Sequence, residues 1–183
     1  MDIPTSLTRS TVTVLVPGIV ALSPWVLALV QHTQATFGFK GYPTLAHSLL
    51  FASVIVAGVV CDGLGSFIEA KWDDMRDDDL DVEENWYKYL SMVFEREPVG
   101  YRYLSRLVTA LYFELSMLFA VPIFMFGACV LAWLRFPAFR VASVICTIVC
   151  IVGAALFFLW QAYTTHGVIC TTRRELMRRV SAS

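Results

Sequence analysis

The sequence predicts an all-α integral membrane protein with four transmembrane helices and a cytosolic helical hairpin between the second and third. Three observations carry this expectation. Of the 183 residues, 57% are hydrophobic and only 16% charged, with a mean hydropathy of +0.65, whereas soluble domains carry roughly 25% charged residues. Four apolar runs, at 12–31, 45–61, 107–134 and 141–163, are each long enough to cross a hydrocarbon layer of about 30 Å at 1.5 Å per residue. None alternates polar with apolar residues as a barrel strand does, and backbone in lipid must pair with itself, so these runs are expected to be helices.

The spans consume nearly half the chain, which predicts a single membrane domain over 1–183. Between the spans lie short loops and the hairpin 62–106, and a basic tail, 164–183, follows the fourth. The formal charge of −1 gives no electrostatic signature for nucleic acid or for acidic partners. Local charge is more informative. Arg9, Lys71, Arg76, Lys88, Arg96, Arg102, Arg106, Arg173, Arg174, Arg178 and Arg179 fall on one side, against Lys40, Arg135 and Arg140 on the other. Lys and Arg are retained in cytosolic loops, so both termini and the hairpin are expected in the cytosol, most simply at a bacterial cytoplasmic membrane.

The first span contains Pro17, Gly18, Pro24 and Trp25, which suit a kinked permanent span better than a cleaved signal. The second is expected to continue as a helix beyond the membrane. Gly58, Asp62, Gly65, Glu69 and Asp73 recur at helical spacing, and at 100° per residue Asp62, Glu69 and Asp73 share a stripe about 40° wide. The stripe admits two readings: a divalent-cation or lipid head-group contact, because hard cations take carboxylate oxygens, or a solvated face paired with Arg76, Arg102 or Arg106. The Asp62-Gly pair invites comparison with membrane phosphotransferases, but the Ala-Arg pair and the second Gly and Asp series of those enzymes are missing, and no residue carries over.

An acidic run follows, Asp73 to Glu84, whose like charges favour a hydrated turn or pairing with the basic tail. Trp86, Leu90, Val93 and Phe94 then fall at i, i+4, i+7 and i+8, one face of an amphipathic helix suited to the inner leaflet or the underside of the bundle. Pro98 and Gly100 end it, and Arg102 and Arg106 can snorkel from the start of the third span. These residues, with Arg173 and Arg174, form the expected surface for a cytosolic protein partner.

Within the third span Glu114 is the lone charge. A carboxylate at this depth costs at least about 2.5 kcal/mol unless it pairs, is protonated or faces a polar cavity. It is therefore a candidate either for lining a pore or for joining helices, with its partner expected on another helix. In the fourth span Cys146 and Cys150 lie four apart and join Gly153 in a stripe of small residues, the kind that lets membrane helices approach closely. No His or further Cys completes a metal set around that pair, and no disulfide is expected in the cytosol.

No nucleotide loop, nucleophile with its base, or zinc-ligand motif is spelled out, so no cofactor is expected. The two halves do not repeat, unlike those of many transporters. In length and span count alone, with no shared motif, the chain resembles small membrane accessory proteins encoded beside bacterial antiviral systems. The leading expectation is a non-enzymatic, homo-oligomeric membrane effector or accessory subunit. The alternatives are a metal-dependent enzyme acting on lipid head groups through Asp62, Glu69 and Asp73, and a passive assembly scaffold.

Overall fold

Three of the four apolar runs lie in helices far longer than a bilayer requires. The computed structural model describes residues 11–36, 43–80, 86 and 99–180, and among them every residue except Phe136 is helical and none is in a strand. Helix α1, Val16–Thr36, follows a π-helical turn at Thr11–Leu15. Helices α2 (Pro43–Leu80), α3 (Val99–Arg135) and α4 (Arg140–Val180) have 38, 37 and 41 residues. At 1.5 Å per residue each is about 55–60 Å long, so close to half of each extends past a hydrocarbon layer of about 30 Å. All four helices are long and apolar enough to cross a membrane.

These lengths change the reading of the connecting regions. Residues 62–80 are the second half of α2, and the stretch expected as a basic tail is the continuation of α4 as far as Val180. The charged end of the molecule is thus built by α2, α3 and α4 running on together. Of the expected amphipathic helix only Trp86 is described; Leu90 and Phe94 lie outside the described residues, as do Asp81, Glu83 and Glu84.

Helix α3 is central and packs against α1, α2 and α4. In lipid, small residues rather than hydrophobic drive let helices meet, and the glycines mark where this occurs. A Cβ on Gly18 would strike the Val54 carbonyl of α2, and one on Gly58 the Val14 carbonyl of the π-helical turn. Gly65 lies against Leu115 of α3, where an added Cβ would sit 2.8 Å from the leucine Cβ. Gly127 of α3 accommodates Pro24 and Trp25 of α1, and the Trp25 indole donates to the Ile123 carbonyl at 3.3 Å.

Two cores result. Ala21, Cys61 and Ala120 pack in the apolar part of the bundle. The larger core is at the charged end, where Leu104, Leu111, Leu115, Ala162 and Ile169 are buried and backed by Ile68 and Trp72. Helices α3 and α4 are joined by a tight turn through Pro137–Phe139, in which Phe136 N–H bonds the Ala132 carbonyl at 2.8 Å. The most apolar stretch of α4 buries no residue within the subunit.

Candidate functional site

The stripe of α2 faces inward, and its carboxylates meet partners on two other helices. Asp62 Oδ1 accepts from Ser116 Oγ at 3.4 Å, and Glu69 accepts from the Tyr112 hydroxyl, both on α3. Asp73 reaches α4, where its Oδ1 lies 2.8 Å from His166 Nε2. Asp62 and Asp73 are eleven residues apart, about 16 Å along the axis. The three carboxylates therefore share a face but cannot share one ion, and they meet a hydroxyl, a phenol and an imidazole.

His166 is the centre of the richest polar cluster among the described residues. It is 2% exposed, and both ring nitrogens are engaged: Nε2 by Asp73, and Nδ1 by Arg76 NH1 at 2.8 Å. A guanidinium can only donate, so Nδ1 accepts, the ring proton sits on Nε2, and Nε2 donates to Asp73. Arg76 also donates from NH2 to the Tyr163 carbonyl at 3.2 Å and lies 4.2 Å over the Tyr163 ring. Trp72, one turn before Arg76, packs edge-on against Tyr163 at 5.5 Å and against His166 at 5.7 Å. Trp72, Asp73 and Arg76 thus grip α4 at Tyr163, His166 and Gly167, where a Cβ would come within 3.1 Å of Arg76. Gly167 is what allows the guanidinium to lie flat against α4.

One turn further along α4, Cys170 is 4% exposed, with Sγ 3.9 Å from each ring nitrogen of His166. The thiol is in line with neither lone pair, and both nitrogens already have partners, so the geometry does not support a nucleophile with its base. Asp73, His166 and Cys170 do place oxygen, nitrogen and sulfur donor atoms within 4.8 Å of one another. The sequence signal for this site was the i, i+4 pairing of His166 and Cys170 on one helix face. It went unread because 164–183 looked like a tail, and because only the fold brings Asp73 across from α2.

The other expected site residues fall as follows. Arg173 is 9% exposed, its guanidinium lies 4.6 Å over the Trp86 ring, and its Nε has no hydrogen-bond partner among the described residues. Two members of the expected interaction surface are thereby in contact. Arg106 and Arg174 are exposed, and the side chain of Arg102 lies outside the described residues. Cys146 is exposed and Cys150 half-buried, and a Cβ on Gly153 would meet nothing within 4 Å.

Glu114 lies inside the subunit, 6% exposed. Its Oε1 accepts from Gln161 Nε2 of α4 at 2.9 Å, Thr165 adds to its polar surroundings, and Oε2 has no hydrogen-bond partner among the described residues. This partner, on another helix, gives Glu114 the geometry of an interhelical link. Glu114→Gln retains an acceptor for Gln161 and removes the charge, so thermal unfolding in nanodiscs is expected within about 1 kcal/mol of wild type. Gln161→Leu strands a buried carboxyl and is expected to cost about 1–3 kcal/mol; equal effects of the two substitutions would contradict this role. At the opposite end of the bundle, α1 and α2 enclose an apolar groove of about 650 Å³ lined by Trp25, Leu29, Leu50 and Ser53, with His47 at its edge.

Compared with protein-family models, with curated proteins and with solved structures, the chain matches none.

Proposed function

We propose that this chain is a non-enzymatic, multi-pass subunit of a homo-oligomeric assembly in a bacterial cytoplasmic membrane, an effector or accessory component rather than a catalyst. Both termini and the charged end face the cytosol in this reading, as the arginine and lysine distribution favours. The charged end, with Trp86, Arg106, Arg173 and Arg174, receives a cytosolic protein partner.

The observation that carries the oligomer is the contrast between Gly153, open like Gly63 but in the most apolar span, and the four glycines at which helices cross within the subunit. Gly18, Gly58, Gly65 and Gly127 each admit another helix at close range within the subunit. Gly153 has the same small-residue setting, with Cys150 and Cys146 about one and two turns away, yet nothing lies within 4 Å of its Cβ position. Helices pack in lipid through such faces, and a second copy presenting the same stripe is the simplest occupant. A C2 contact of this kind is self-complementary.

Cysteine cross-linking in native membranes tests this reading. Mild oxidation should give a disulfide-linked dimer that disappears in Cys146→Ala/Cys150→Ala. Gly153→Leu, which has room in the isolated subunit, should abolish the cross-link while leaving helix content unchanged. Cross-linking that is insensitive to both changes would remove the α4 face as the contact.

A further inference from the structure

We propose that Asp73, His166 and Cys170 form a site for one divalent transition-metal ion of the zinc type, tying α2 to α4 at the charged end. The three donor atoms come from two helices and lie within 4.8 Å of one another. Carboxylate, imidazole and thiolate are the ligands zinc takes, at about 2.0–2.3 Å. Around a tetrahedral ion those bond lengths separate sulfur from nitrogen by about 3.6 Å and oxygen from nitrogen by about 3.3 Å. Here Cys170 Sγ is 3.9 Å from His166 Nε2, and Asp73 Oδ1 is 2.8 Å from it. Because Sγ is equally far from both ring nitrogens, an ion seated about 2.0 Å out on the Nε2 lone pair would start about 4 Å from the sulfur. Binding therefore requires the Cys170 and His166 side chains to turn toward the ion as well as Asp73 to give up its hydrogen bond to Nε2. The Asp73 side chain is 44% exposed while His166 is 2% exposed. The open side at Asp73 gives an entry path and room for a water in the fourth position, with the imidazole and sulfur behind it.

The protons balance in a way that singles out Arg76. The Cys170 thiol releases its proton to solvent on binding, and the imidazole proton leaves Nε2 for the metal to take its place and appears on Nδ1. Nδ1 then carries a hydrogen facing a guanidinium that can only donate, so Arg76 must release it while keeping the Tyr163 carbonyl. Arg76 is thus the competitor of the ion, and ion binding is coupled to loosening of the Arg76 contact. A metal-bound histidine normally donates its free N–H to an acceptor. Glutamine at position 76 offers such an acceptor and removes a positive charge.

The test is titration of the full chain in nanodiscs with Co²⁺, which reports thiolate ligation by a charge-transfer band, followed by displacement with Zn²⁺. Wild type should bind one cobalt per chain with a thiolate band. Cys170→Ala should abolish the band, Asp73→Asn should weaken binding at least tenfold, and Arg76→Gln should tighten it. Cys146→Ala/Cys150→Ala should leave the band intact. Absence of stoichiometric binding by wild type overturns the proposal, as does a band that survives Cys170→Ala or is lost with Cys146 and Cys150. Asp73→Asn, at a half-exposed position, keeps the test decisive if Cys170→Ala fails to fold.

Discussion

Gly58→Val is expected to leave little folded protein. The Cβ would be driven into the Val14 carbonyl oxygen, with the Val14 side chain 3.0 Å away, and neither a helix backbone nor a π-helical turn can retreat as a flexible side chain would. Overpacking of ordinary cores costs about 1–3 kcal/mol, and a clash against backbone belongs at or beyond the top of that range. The same crossing is reinforced by Gly18, whose Cβ would strike the Val54 carbonyl one turn before Gly58. One substitution therefore separates α1 from α2 over a full turn, in a medium that offers no hydrophobic drive to rejoin them. Gly63 is the control. It lies in the same helix with nothing within 4 Å of its Cβ position, so Gly63→Ala should be neutral or stabilise by up to about 1 kcal/mol through helix propensity. Thermal unfolding in detergent separates the two; comparable losses at both positions would contradict the crossing.

His166→Ala is expected to cost about 2–4 kcal/mol. The substitution removes a fully buried ring from beside Trp72, leaves a cavity, and takes away the acceptor of Arg76 NH1; each of these carries a cost. Asp73 contributes less, because its half-exposed side chain recovers water. Asp73→Asn, which keeps an acceptor for the imidazole N–H, should cost less than about 1 kcal/mol. A double-mutant cycle between Arg76→Ala and His166→Ala should show coupling well above 0.5 kcal/mol, since the two touch directly. Additive effects would show that α2 and α4 are held by the apolar core alone, where Ile68 and Trp72 of α2 pack with Leu111, Leu115 and Ile169.

The four apolar helices were readable because lipid imposes length and apolarity on every spanning segment. The extension of α2 was readable because Asp62, Glu69 and Asp73 keep one helical face. What that face meets was not readable, since Ser116, Tyr112 and His166 come from two other helices whose relative heights are set by packing. Glu114 could be recognised as needing a partner, because a buried carboxyl in lipid needs one, but Gln161 emerged only with the register of α4 on α3. Residues 164–180 carry no secondary-structure expectation, because the sequence reads there only as a basic tail. They form a helix because Ala162, Ile169 and Met177 supply a buried face at helical spacing, and its polar positions then carry His166, Cys170 and Arg173 into the interior.

The most direct test of the proposed function is the mass of the purified particle in nanodiscs or a mild detergent, with wild type compared against Gly153→Leu. A discrete homo-oligomer for wild type and a monomer for the variant is the expected result. A wild-type particle that is monomeric at all protein concentrations would contradict the homo-oligomeric subunit.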